Sequence, residues 1–85
     1  MASESWYVYI VRCSDESLYT GIAIDVQRRI NEHNNDDTTG AKYTRARRPV
    51  RLMYQEEVSS RSEVASREHA IKKLTRQEKE ALIGN

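Results

Sequence analysis

Two short runs near the N-terminus constrain the fold most. Trp6 to Arg12 and Leu18 to Ile22 are rich in aromatic and β-branched residues, and Ser14-Asp15-Glu16-Ser17 between them is turn chemistry. Together they predict a β-hairpin. Read naively, Ser14 to Ser17 is a four-residue turn, which sends Tyr9 and Tyr19 to opposite faces of the sheet. A turn of three or five residues puts them on the same face, because side chains alternate with a period of two.

After the hairpin the apolar period changes. Asp25 precedes a segment with Val26 and Ile30 among polar residues, which predicts an N-capped helix to about Asn34. Asn35 to Ala41, polar and containing Gly40, reads as a loop that continues through a basic cluster to Pro49. Val50 to Val58 predicts a third strand, with Leu52 and Tyr54 on one alternation and Met53 on the other. Ser60-Arg61-Ser62-Glu63 has capping-box spacing, and Val64, Glu68, Ile71 and Leu74 follow on one helical stripe. Thr75-Arg76-Gln77-Glu78 repeats that spacing and predicts a short last helix ending before Gly84. The order ββαβαα predicts one α+β domain over residues 1–85: a small antiparallel three-stranded sheet flanked by helices, covered on at least one face.

Composition narrows the functional classes. With 85 residues the core is shallow and a deep pocket has little room, while 38% hydrophobic and 32% charged residues fit a folded, soluble chain. The one cysteine, Cys13, excludes an internal disulfide and a four-cysteine zinc site, and with histidines only at 33 and 69 no usual zinc spacing remains. Walker and dinucleotide fingerprints are absent. Residues 1–5 show no basic start or apolar stretch of an export signal, and Trp6 to Val11 is too short to span a bilayer, so a cytoplasmic location with no membrane contact is expected.

The net charge of +1 divides unevenly: −3 over residues 1–27, +4 over 28–51 and zero over 52–85. In the middle third Lys42, Arg45, Arg47, Arg48 and Arg51 occur with no acidic residue among them and with Tyr43 interleaved. Such a cluster is either a solvated basic loop or a surface for phosphates.

Arg29 and His33, four apart, lie one above the other on the first helix beside the core-facing Val26 and Ile30. Glu68 falls on the apolar stripe of the later helix, where a carboxylate needs a cation or a metal to offset desolvation. Two readings stand for it: an ion pair with an arginine such as Arg29, or a metal ligand. For His33 the alternative to a site role is a buried, hydrogen-bonded histidine, and for Tyr7, Tyr9 and Tyr19 it is packing across the strands.

Tyr7-Val8-Tyr9, ten residues before Tyr19-Thr20-Gly21, resembles the paired signature triplets of GIY-YIG nucleases. The likeness continues with Arg29 eight residues after Gly21, His33 four further on, and Glu68 followed by Ile71-Lys72-Lys73. Lys42-Tyr43-Thr44-Arg45 and Arg47-Arg48-Pro49 are similar to the small stand-alone bacterial branch of that family. Tyr7 stands where the first triplet has glycine, and Thr20 where the second has an aliphatic residue; neither change removes a catalytic side chain.

The resemblance implies a metal-dependent endonuclease cutting phosphodiesters in nucleic acid, DNA before RNA. It implies that Glu68 holds one Mg²⁺ or Mn²⁺, that Arg29 donates to the phosphoryl oxygens, and that Tyr9 or Tyr19 handles the proton. His33 orients a tyrosine or water, and Lys42, Arg45, Arg47 and Arg48 hold the strand through phosphates. Relatives that cut defined sites usually carry a further recognition domain, so specificity is expected from a protein partner. The competing reading is a nucleic-acid-binding module of the same fold with weak or no activity, and a third is a protein-interaction domain.

Overall fold

The computed structural model describes residues 5–84. Residues 1–4, on which most of the export-signal expectation rests, lie outside the described residues. Strands β1 (Trp6–Arg12) and β2 (Leu18–Ala23) are followed by helices α1 (Val26–Asn35) and α2 (Lys42–Arg45), then β3 (Arg51–Val58) and helices α3 (Arg61–Lys72) and α4 (Arg76–Ile83). The three strands form one antiparallel sheet in the order β2-β1-β3, the α+β architecture expected. The one added element is α2, a single turn inside the basic cluster. Its N-cap residue, Ala41, makes no side-chain capping bond, and four residues are too few to show a helical period.

The hairpin register differs from the naive reading. Cys13 and Ser17 already pair, through a bond from Cys13 N–H to the Ser17 carbonyl (2.8 Å), so the loop proper is Ser14, Asp15 and Glu16. Glu16 N–H bonds the Cys13 carbonyl (2.9 Å), and Glu16 takes a left-handed conformation (φ 70°), which matches the twist of a three-residue hairpin. Tyr9 then faces Gly21 and Val11 faces Tyr19, which places Tyr9 and Tyr19 on one face.

The third strand also departs from simple alternation. Ile10 pairs with Tyr54 but Val11 with Leu52, so Met53 is the extra residue of a β-bulge. Leu52 and Tyr54, two apart, therefore pack on opposite sides of the sheet. Sequence alternation cannot reveal this, because the bulge is a property of the pairing.

Both faces of the sheet are covered. Tyr9, Val11, Cys13 and Val50 pack with Val26 and Ile30 of α1 on one face. Val8 and Ile10 pack on the other with Val64 and Ile71 of α3 and with Leu82 and Ile83 of α4. Burial of these aliphatic side chains stabilises each layer by roughly 1.5–3 kcal/mol per side chain. Helix α1 starts at Asp25, whose carboxylate accepts from Arg28 N–H (3.1 Å). Thr75 and Glu78 form the full reciprocal capping box of α4. At α3 only half of it forms: Ser60 accepts from Glu63 N–H, while the Glu63 carboxylate turns to the Ser59 hydroxyl (2.6 Å). No helix among the described residues is long and apolar enough to cross a membrane.

Candidate active site

The site forms on the sheet face beneath α1, around the hydroxyl of Tyr9. Tyr9 is buried in the middle of the central strand, and its ring lies over Gly21 in the neighbouring strand. A Cβ at Gly21 would sit 2.6 Å from Cζ of Tyr9, so the last residue of the second triplet is glycine for space, not for backbone freedom. Helix α1 lowers His33 onto this face, and its Nε2 lies 2.7 Å from the Tyr9 hydroxyl. On its other side His33 Nδ1 lies 2.9 Å from the hydroxyl of Thr44 in α2, which in turn donates to the Ala41 carbonyl (3.0 Å). His33 and Thr44 are both fully buried.

Tyr19 enters the same cluster from β2. Its ring meets the His33 ring edge-on at 5.4 Å and stacks on Tyr43 of α2 at 5.8 Å, and the Arg47 guanidinium lies 3.9 Å from the centre of the Tyr43 ring. Four aromatic rings thus line the space between β2, α1 and α2.

Arg29, one turn before His33 on α1, is anchored through Nη1, which donates to Glu32 Oε1 (2.9 Å) and to the Thr39 carbonyl (2.5 Å). Among the described residues no such bond engages its Nε or Nη2, and the Tyr9 hydroxyl is a neighbour of the guanidinium. Burial works against the guanidinium, but Glu32 and the Tyr9 hydroxyl favour its charge and keep it cationic. Glu68 comes from the opposite layer, on α3. Its carboxylate pairs with Lys72 (3.2 Å) and not with Arg29, so the structural ion pair weighed for Glu68 does not form.

Electrostatics separate the groups. Burial pushes the Tyr9 phenol up to about 12, against the lowering effect of Arg29 and with small further increases from Tyr19 and Glu68. Burial, helped by Arg29, pushes His33 down to about 4, so its ring is neutral at physiological pH.

The expected phosphate-binding residues divide into two kinds. Lys42 and Arg45 are exposed on α2 and form no ion pair among the described residues. Arg47 is bound to Asp15 (3.1 Å) and the Tyr43 carbonyl (2.9 Å), fastening α2 to the hairpin tip. Arg48 is bound to the His33 carbonyl (2.6 Å), the Asp36 carbonyl (3.1 Å) and Asp37 (2.9 Å), where it closes the C-terminal end of α1. Two further residues hold the site in place with no chemical signal of their own in the sequence, although the first of them falls within the Lys42–Arg45 stretch that resembles the stand-alone branch. Thr44 is one, and Asn34 is the other: its side-chain amide pairs with both backbone groups of Val50 (2.7 and 3.0 Å) and sets the approach to β3. Polar residues in a polar segment give no period to find them by.

No group of three or more His, Cys, Asp or Glu side chains among the described residues converges as a metal cage. The donor set nevertheless suits one hard cation of the Mg²⁺ kind, which keeps several waters and takes one or two carboxylates together with substrate phosphate oxygens. Glu68, partly exposed and engaged only by Lys72 among the described residues, is the carboxylate that would hold it.

Comparison with known proteins gives a consistent result. Residues 5–81 match the family model described as the GIY-YIG catalytic domain. A UPF0213 protein of Desulfotalea psychrophila is 52% identical over 93% of this chain and 71% of its own length. A UPF0213 protein of Staphylococcus aureus is 55% identical over 94% of this chain and 95% of its own. The solution NMR structure of the UPF0213 protein of Bacillus halodurans superposes with a TM-score of 0.59 at 44% identity, covering 93% of this chain and 82% of that one.

Proposed function

Because the chain belongs to the GIY-YIG catalytic-domain family, among its small stand-alone UPF0213 members, we propose that it is a metal-dependent endonuclease that hydrolyses phosphodiester bonds in nucleic acid, DNA before RNA. The observation that carries this reading is the meeting of the two signature tyrosines at His33, whose Nε2 lies 2.7 Å from the Tyr9 hydroxyl and whose ring lies 5.4 Å from that of Tyr19, with Arg29 one turn away on α1. A tyrosine, a cationic fork and a carboxylate from three different elements are what in-line attack of water on a phosphodiester requires.

In this reading Arg29 donates through Nε and Nη2 to the nonbridging oxygens as charge builds on them, and its Nη1 anchor to Glu32 and Thr39 keeps it pre-oriented. Glu68 holds the divalent ion, Mg²⁺ or Mn²⁺. Bound there, the ion supplies Lewis-acid stabilisation of the phosphoryl and leaving oxygens. The proton of the attacking water is assigned to Tyr19. Ionising Tyr9 at pH 7 from a pKa of about 12 would cost about 7 kcal/mol, and Tyr9 already spends its hydroxyl on His33, whereas Tyr19 is only half-buried at the edge strand. Tyr9 and His33 therefore orient, and Tyr19 accepts as its phenolate, its own proton having first left to solvent at the half-buried edge strand. Lys42 and Arg45, on the exposed side of α2 beside Tyr19, contact the strand through phosphates. A partner protein supplies sequence specificity, and the location is cytoplasmic.

The test is cleavage of a panel of labelled DNA and RNA structures with Mg²⁺ or Mn²⁺, wild type beside Glu68→Gln and Arg29→Ala, each checked for folding. Metal-dependent cutting lost in both variants is the expected result. Binding without cutting above the variants' level would replace this reading with the nucleic-acid-binding module.

A further inference from the structure

The chain of buried hydrogen bonds from Tyr9 through His33 to Thr44 ends on the carbonyl of Ala41, the N-cap of α2, and because that carbonyl can only accept, it sets the direction in which the Thr44 hydroxyl gives its proton. Neutral imidazole carries one N–H, and either nitrogen can hold it. With the proton on Nδ1, every member is satisfied: Tyr9 O–H donates to Nε2 (2.7 Å), Nδ1–H donates to Thr44 Oγ1 (2.9 Å), and the Thr44 hydroxyl donates to the Ala41 carbonyl (3.0 Å). With the proton on Nε2, the ring donates to the Tyr9 oxygen. The Tyr9 proton, on a side chain 1% exposed and with no other acceptor bonded to it among the described residues, is then left unmet. The Ala41 N–H, 3.4 Å from Nδ1, favours that second arrangement only weakly, since 3.4 Å is the outer limit of such a bond and the pair is only part-buried.

We infer that Thr44 is a positioning residue, whose hydroxyl fixes His33 as the Nδ1–H tautomer so that Tyr9 gives its proton to Nε2 and keeps its oxygen lone pairs as an acceptor in the site. In the opposite tautomer the Tyr9 oxygen accepts from Nε2 and its proton becomes a donor in the site instead. Thr44 therefore decides whether the central tyrosine offers the site an acceptor or a donor. It does so from α2, the same single turn that carries Lys42 and Arg45 outward, so the inner face of the turn sets the site while its outer face meets solvent. The consequence for cleavage rests on the nuclease reading; the tautomer does not.

Long-range ¹H–¹⁵N correlation spectra of the His33 ring near pH 7 read the tautomer directly, in wild type, Thr44→Val and Thr44→Ser. Wild type and Thr44→Ser are expected to show a protonated Nδ1 and an unprotonated Nε2. Thr44→Val, matched in shape but without the hydroxyl, is expected to reverse them. In cleavage assays Thr44→Val should lose at least tenfold in kcat with KM within twofold, and Thr44→Ser should recover most of it. A wild-type ring protonated on Nε2 overturns the inference even if Thr44→Val fails to fold. So does a Thr44→Val ring that keeps its proton on Nδ1, or one that switches while kcat is unchanged in a cutting enzyme. If wild type cuts nothing, the nuclease reading fails alone, and the ring spectra still decide for or against the role of Thr44.

Discussion

Replacing Gly21 by alanine tests the tightest contact in the site. Gly21 has no positive φ, so an alanine is not strained by its backbone, and any effect comes from where its methyl group goes. That methyl would lie 2.6 Å from Cζ and 3.1 Å from Cε2 of Tyr9, about 0.8 Å inside ordinary contact with Cζ. Tyr9 is 1% exposed in the central strand and cannot swing out to solvent. A shift of that size moves its hydroxyl from 2.7 Å to about 3.5 Å from His33 Nε2, beyond hydrogen-bonding range. Overpacking costs about 1–3 kcal/mol, and the orphaned buried hydroxyl about 1–3 kcal/mol more. Against a total stability of roughly 4–13 kcal/mol for a chain of this length, the expected fall in Tm is at least about 10 °C. Thermal unfolding followed by circular dichroism gives the answer. A Tm within about 3 °C of wild type would refute the claim that the glycine is there to make room for the tyrosine.

The remaining tests separate stability from contact with nucleic acid. Arg48→Met is expected to lose about 2–3 kcal/mol in urea unfolding with an unchanged slope, because it removes the three bonds that close α1. Its affinity for nucleic acid, measured on the folded fraction, should hardly change. Lys42→Ala and Arg45→Ala should do the reverse, leaving the unfolding midpoint in place while each lowers the salt slope of binding by about one. His33 makes stability depend on acid: its pKa is about 4 folded against 6.5 unfolded, so between these values protons bind the unfolded chain preferentially. Stability should be full above pH 6.5 and fall as pH drops toward 4, by about 3 kcal/mol in all. Urea unfolding from pH 4 to 8 should show that loss shrink in His33→Gln; an identical pH dependence in the variant would refute the assignment.

Much of the fold was legible because it rests on local chemistry. Asp25 and Thr75 cap helices through their own side chains and nearby N–H groups, and Val64, Glu68 and Ile71 share a stripe simply because a helix turns every 3.6 residues. The same local rules put Arg29 above His33 and Trp6–Arg12 into a strand. The order of Tyr9, Tyr19, Arg29, His33 and Glu68 along the chain was also enough to resemble a known family. What these rules cannot supply is register and partnership. The sharing of a face by Tyr9 and Tyr19 depends on whether Ser17 pairs with Cys13, and the separation of Leu52 from Tyr54 depends on a bulge at Met53. Only the three-dimensional pairing of strands decides either.

The cations show the same division. Arg47 and Arg48 are indistinguishable from Lys42 and Arg45 in sequence, yet the first two are held by Asp15, Asp37 and backbone carbonyls from other segments, while the second two face solvent. Likewise Thr44 is one threonine among several until α2 folds it against His33. Sequence alone settled the three strands and the three longer helices, though not the single turn α2, and named the side chains that can do chemistry, because propensity, capping and periodicity act over a few residues. The tertiary structure decided which of those side chains meet and which are engaged elsewhere, because hydrogen bonds and burial join atoms that are far apart along the chain.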